Sequence, residues 1–290
     1  MIYRVRHTSR LTYSAPVTQA QLNLRLVPWL WQGQELRESG LSITPLPAIR
    51  QDVAGPYCVN TTRIGFRDPL AALEVTSSFT IAIDPPPEPG TGPLDADVRA
   101  QAANMPDLSV TSPVPYLFGS RIAGIDETIG GWAAGHLLPD AGIVPSAGAL
   151  MAAIHREFTY RKGATTSRTS PEEAFSRRQG VCQDFAHVMI VALRAHGIPA
   201  AYASGYLRTL PPPGKAKLVG ADAMHAWVNV WCGPDLGWVG FDPTNDCLAR
   251  EDHIQIAMGR DYADVSPIDG TFIGNAPQEV SSAVDVTPTG

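Results

Sequence analysis

Pro85-Pro86-Pro87-Glu88-Pro89-Gly90 divides the 290-residue chain into two parts of different character. Proline fixes φ at about −65° and has no N–H to donate, so neither a helix nor a central strand can run through this stretch. It reads as a stiff, extended connector. Before it the apolar residues keep a period of two: Tyr3-Arg4-Val5-Arg6, Leu22 to Leu26, and a Thr-, Val-, Ile- and Phe-rich run from Leu73 to Ile83. Gly55-Pro56 and Asp68-Pro69 punctuate these runs with turn chemistry. Beyond the connector the period becomes helical, over Asp126 to Leu137 and Ser146 to Phe158, with Ser146 an expected N-cap.

The third helical stretch, Gly180 to His196, places Val181, Phe185, Val188, Met189 and Leu193 on one face. Gly197 suits its C′ position and Pro199 ends it. Strands follow at Ala200 to Leu207, His225 to Trp231 and Trp238 to Asp242, with a last one near Glu279 to Thr287. The expected organisation is an antiparallel β-domain over 1–88, a linker over 89–115 and an α+β core over 116–290 that includes the C-terminal strand.

With 44% hydrophobic and 17% charged residues, a core of this size can stand without disulfides. A net charge of −6, with no basic run, argues against nucleic acid as a partner. No apolar run is long enough to cross a bilayer and no leader-like segment opens the sequence, so the expected location is the cytoplasm, with no membrane partner. In that reducing compartment Cys58, Cys182, Cys232 and Cys247 are expected as free thiols.

Cys182 stands in the first turn of the third helix, where unpaired N–H groups and the positive end of the dipole favour a thiolate. Those N–H groups also suit an oxyanion. The strands from His225 and to Asp242 are joined by Cys232-Gly233-Pro234-Asp235-Leu236-Gly237, a hairpin connection. If Trp231 pairs with Trp238, Trp227 lies opposite Asp242 and His225 is its diagonal neighbour on the same face. Such a separation lets an imidazole reach a carboxylate. A slip of two residues keeps them on one face, and a slip of one separates them. Each residue alone has a plain structural reading: a packed thiol, a satisfied strand histidine, a turn carboxylate before Pro243. Together they form a nucleophile, base and orienting acid for acyl transfer.

Gly180-Val181-Cys182-Gln183-Asp184-Phe185-Ala186-His187, His225-Ala226-Trp227 and Gly240-Phe241-Asp242-Pro243-Thr244-Asn245 resemble the bacterial transglutaminase-like superfamily. Gly197-Ile198-Pro199-Ala200 and Ser204-Gly205-Tyr206 match the stretch linking its cysteine helix to its sheet. The resemblance is close over Pro115 to Asp246 and looser over the N-terminal part. It implies a papain-like transglutaminase core, with the cysteine helix packed on an antiparallel sheet, behind a β-rich N-terminal domain. It also implies Cys182, His225 and Asp242 as the catalytic triad. Asn229, where related sequences often have Glu, and the segment Gly55 to Asn60 depart from the family's pattern without touching the triad.

Around these three, Gln183 is expected to line the site, Asp184 to steady the helix start and Trp227 to shield the His225–Asp242 pair. Tyr160, Thr165 and Thr166 are expected in a wall of the cleft. His187, about 140° around the helix from Cys182, is expected to be packing. The Pro211–Lys215 loop is a candidate gate. Cys232, Cys247, His225 and His253 match no zinc spacing, and no carboxylate-rich calcium loop is present, so no metal or cofactor is expected. The expected substrate is a peptide or small amide, hydrolysed through a Cys182 thioester. Amine transfer is the alternative, and a non-catalytic binding module the reading from another class.

Overall fold

A computed structural model describes residues 1–209, 220 and 222–289. β1 (Ile2–Leu24) is a single 23-residue strand, so the two alternating runs at Tyr3 and Leu22 are its ends. β2 (Gln34–Thr44), β3 (Ile49–Ala54), β4 (Asn60–Gly65) and β5 (Leu70–Ile83) complete the first part of a sheet ordered β2-β5-β1-β4-β3. Tyr3, Val5, Leu11 and Tyr13 alternate inward along β1, as a half-buried strand requires.

Helices follow: α1 (Asp95–Ala103), α2 (Glu127–Ala134) and α3 (Ile143–Glu157). The Asp126 carboxylate caps α2 by accepting the Ile129 N–H at 2.7 Å. Ser146 is not the cap of α3. The helix starts a turn earlier, after Gly142 at φ 94°, and tolerates Pro145 in its first turn because that N–H has no intrahelical acceptor. The Ser146 hydroxyl donates instead to the Asp95 carboxylate at 2.7 Å.

β6 (Thr159–Tyr160) runs parallel to β7 (Gln179–Gly180), with α4 (Pro171–Arg177) between them. α5 (Cys182–Ala195) is the buried helix of the core, and Gly197 takes φ 69° behind it. β8 (Ala200–Leu207), β9 (Met224–Trp231), β10 (Trp238–Asp242), β11 (Cys247–Leu248) and β12 (His253–Gly259) form the second sheet, ordered β11-β10-β9-β8-β12. Ala226, Val228, Val230 and Phe241 face α5 and share its core with Phe185, Val188, Met189 and Leu193.

A short α6 (Tyr262–Val265) leads into β13 (Ile268–Ile273) and β14 (Gln278–Pro288). Here the expected organisation needs correction. Both strands pair with β1, so the C-terminal strand belongs to the N-terminal sheet and not to the core's own. The reason is an edge to be filled. β14 runs beside β1 from Tyr13 to Tyr3, on the side that β5 leaves open, and buries Val284 and Val286. Tyr3, Val5, Phe79 and Ile81 then pack directly on Tyr206, Ile254 and Ile256 of the second sheet. No described helix is long and apolar enough to cross a membrane.

Candidate active site

Trp231 pairs with Trp238 and Val230 with Val239, one of the hairpin registers that put His225 and Asp242 on one face. Asp242 and His225 therefore meet on one face, with the His225 Nε2 2.7 Å from the Asp242 Oδ2. Cys182 lies close enough to the same imidazole for its thiol to favour the ring's charged form. Cys182 itself is half-buried at the first position of α5.

Two glycines make this closeness possible. A Cβ on Gly180 would lie 2.6 Å from the Asp184 carboxylate, which folds back over the helix start. There it accepts the Val181 N–H at 2.7 Å and the Thr165 hydroxyl at 2.6 Å. Gly205 faces His225 across β8 and β9, and a Cβ there would collide with Trp227 and the Ile254 carbonyl. The cysteine helix and the histidine strand are thus held by backbone close approaches, not by side-chain packing alone.

The Asp242 carboxylate is fully buried and collects five donors. Oδ2 takes His225 at 2.7 Å, Asn245 Nδ2 at 2.7 Å and His253 Nε2 at 3.1 Å. Oδ1 takes the backbone N–H groups of Thr244 at 2.9 Å and Asn245 at 3.2 Å. Burial alone would favour the protonated acid, but these hydrogen bonds and the facing imidazole outweigh it and hold the carboxylate well below its ordinary pKa. For His225 burial opposes the charge, while Asp242 and Cys182 favour it and win, so its pKa is raised. Each group of the pair thus favours the charged form of the other.

His253 and Asn245 were not singled out for this role by the sequence. The signal for Asn245 is Asp242-Pro243-Thr244-Asn245, an Asx-type turn in which the carboxylate binds N–H groups two and three residues on. His253 had no such signal, because it reaches Asp242 from β12, across the sheet. Its Nδ1 accepts the Arg250 N–H at 3.3 Å, so Nε2 carries the proton given to Asp242. His225, Asp242 and His253 are also the described His/Cys/Asp/Glu group compact enough for a metal, with ligand atoms within 4.8 Å of one another. Hydrogen bonds among the three already satisfy the atoms a metal would use. Cys232 takes no part: it is buried at the end of the core, its thiol on the Val230 carbonyl.

Trp227 is buried beside the pair, its ring 6.2 Å from His225 and 5.3 Å from His253, and its indole N–H donates to Asn229 at 3.2 Å. Asn229 in turn donates to Gln255 at 2.8 Å. Behind this layer lies a cavity of about 430 Å³, between Trp31, Pro86, Arg250 and the Trp227 face, with no wall from Cys182. Tyr160 is half exposed and lies close enough to Cys182 for the sulfur's charge to add to the effect of burial in raising its phenol pKa. Gln183 is half-buried next to Cys182. Thr165 serves Asp184, and the Thr166 N–H closes a turn on Thr169 at 3.0 Å. His187 is buried and accepts the Tyr262 N–H at 3.2 Å, away from the sulfur. The Pro211–Lys215 loop lies outside the described residues.

This geometry meets its relatives in sequence. Residues 140–243 match the model of the transglutaminase-like superfamily, and residues 3–82 match that of the bacterial transglutaminase-like N-terminal region. The chain belongs to the transglutaminase-like superfamily. An uncharacterized protein of Mycobacterium tuberculosis strain H37Rv is 37% identical over 294 residues, covering 99% of this chain and 92% of its own. A protein-glutamine gamma-glutamyltransferase of Pseudomonas aeruginosa is 38% identical over 104 residues, which span 33% of this chain and 15% of that one. The fold is shared with the crystal structure of a candidate cysteine protease from Cytophaga hutchinsonii, at a TM-score of 0.74 and 20% identity, over 100% of this chain and 92% of that one.

Proposed function

We propose that the protein is a cysteine-dependent acyl-transfer enzyme acting on a peptide or small amide, with Cys182 as nucleophile, His225 as base and acid, and Asp242 as the group that orients His225. The observation that carries this reading is one imidazole bonded to the buried Asp242 at 2.7 Å and close enough to the Cys182 thiol to be charged by it. His225 takes the thiol proton, and the sulfur attacks the amide carbon. The first N–H groups of α5 lack intrahelical acceptors and face the growing oxyanion. His225 then protonates the departing amine, leaving a thioester on Cys182. Attack by water, with His225 again as base, releases the acid and restores the thiol. Gln183 and Tyr160 flank the sulfur and supply the walls for the acyl group.

Hydrolysis is the first reading of the acceptor. Transfer to an amine is the second, favoured by the name of the Pseudomonas aeruginosa relative, a gamma-glutamyltransferase that matches a third of this chain. The experiment is turnover of a glutamine-containing peptide library by wild type and Cys182→Ala, with and without added primary amine, read by mass spectrometry. Cleaved or deamidated products that vanish in Cys182→Ala support hydrolysis, and amine-linked products in its place support transfer. Turnover that survives Cys182→Ala refutes the reading.

A further inference from the structure

A cleft of about 1150 Å³ runs between the β1, β3 and β4 end of the first sheet and the segments at Arg121, Arg168 and Tyr262. Its charge is opposite to that of the molecule. Arg63, Arg121 and Arg168 line it, all three exposed and without an ion-pair partner among the described residues. The carboxylate in its lining is Asp269, and that is engaged by Arg25 and, at 2.7 Å, by Asn23. Three uncompensated guanidinium groups therefore share one concavity on a chain of net charge −6.

The lining of the cleft does not include Cys182, but two of its walls belong to segments that pack near the start of α5. Arg168 belongs to the loop whose Thr165 is bonded to Asp184 in the first turn of α5. The start of that loop carries Arg161 and Lys162, exposed and next to Tyr160. On its other side the cleft touches Tyr262, whose ring lies 6.1 Å from Tyr202, and Tyr202 is close enough to Cys182 to feel its charge. The opposite wall includes Ile49 and Gln51 of β3, the edge strand of its sheet, with no strand beyond it among the described residues. An edge of this kind suits an extended polypeptide.

We infer that this cleft binds an acidic stretch of the polypeptide whose amide is presented to Cys182, so that acidic residues flanking the reacting position select the substrate. The inference rests on the acyl-transfer reading for its link to chemistry, but not for binding. Guanidinium groups pair with carboxylates in a planar, two-point geometry. The negative charge of the rest of the surface repels acidic chains, so attraction is confined to the cleft. At physiological salt, screening over about 8 Å leaves only contacts made inside it.

The test uses the full chain carrying Cys182→Ala and two fluorescein-labelled dodecapeptides, one rich in Glu and one with Gln in every Glu position. Anisotropy is expected to show the Glu peptide bound at least about tenfold more tightly at low salt, with the difference shrinking as salt rises. Arg63→Gln with Arg121→Gln and Arg168→Gln should remove the difference. Arg4→Gln with Arg6→Gln, exposed on β1 away from the cleft, should leave it. Equal binding of the two peptides overturns the inference, as does equal loss in both sets of variants. So does tighter binding of a labelled oligothymidylate through the same three arginines, which would make the cleft a nucleic-acid site. With the Cys182 form of the chain, Cys182-dependent turnover with no acidic preference refutes the cleft alone. Acidic-peptide binding with no Cys182-dependent turnover refutes the acyl-transfer reading alone.

Discussion

Asp242 is the residue on which the site's electrostatics turn. A carboxylate with no exposed surface stays ionised only because five donors surround it, and one of them is the imidazole that also meets Cys182. Replacing His225 with Gln keeps a hydrogen bond to Asp242 and removes the base, so turnover should fall by about 10²–10⁴-fold with little change in thermal midpoint. His253 acts through Asp242 and is a positioning residue. His253→Phe should lower kcat by about tenfold, equivalent to ~1.4 kcal/mol, and leave KM nearly unchanged. His253→Gln, which can still donate, should recover part of the loss, and the pH profile of kcat should shift in the Phe variant. A purely structural role would instead lower the thermal midpoint in both variants and leave the profile of the surviving enzyme in place.

At the scale of elements, the site depends on how closely β8, β9 and β12 approach. Gly205 has the Ile254 carbonyl 2.1 Å and the Trp227 ring 2.6 Å from where a Cβ would stand. Gly205→Ala should cost more than about 2 kcal/mol in chemical denaturation, since the backbone of β12 must move. The elements that build the site were largely legible. Period-two and helical spacing gave β8, β9, β10 and α5, and parity placed His225 with Asp242, because these are local consequences of short-range geometry. What stayed hidden was non-local. His253 joins the site from a strand beside β8 and not beside β10, and nothing in its own neighbours in sequence announces that. The start of α3 at Ile143 differs from the expected Ser146 cap for a local reason: a serine and a proline in the first turn of a helix resemble a boundary.

Across the whole molecule, the two halves are joined through β1 and β14. β1 opens the sequence and β14 closes it, and they pair from Tyr3 to Tyr13. This is why the connector at Pro85 marks a change of character without marking a separable unit. Ending the chain after Pro277 should expose the β1 edge and lose the burial of Val284 and Val286, worth about 1.5–3 kcal/mol each. The shortened protein should unfold at markedly lower temperature and aggregate, as read by light scattering. Acid should loosen this junction at His7 and the core beneath α6 at His187. His7, bonded to Tyr206 at 2.8 Å between the sheets, and His187 under α6 are both buried neutral, and burial lowers each pKa to about 4. A group whose folded pKa lies below its unfolded value binds its proton on unfolding, so stability is full above about pH 6.5 and is lost as pH falls towards 4. The thermal midpoint should drop across that window, and His7→Gln should flatten the drop.

The central claim is that Cys182 is activated by His225. It is tested most directly by alkylation with limiting iodoacetamide at slightly acidic pH, with each cysteine followed by peptide mass spectrometry. Burial raises the thiol pKa of Cys58 to about 12 and of Cys232 further still, and hides both from the reagent. Cys247 is exposed, but partial burial and the nearby Asp242 and Asp246 charges raise its thiol pKa to about 11, so all three should lag behind Cys182. Cys182 should react first, and His225→Gln should slow it to the rate of an ordinary thiol. Labelling of Cys182 no faster than Cys58, Cys232 or Cys247, or labelling indifferent to His225→Gln, would contradict the account.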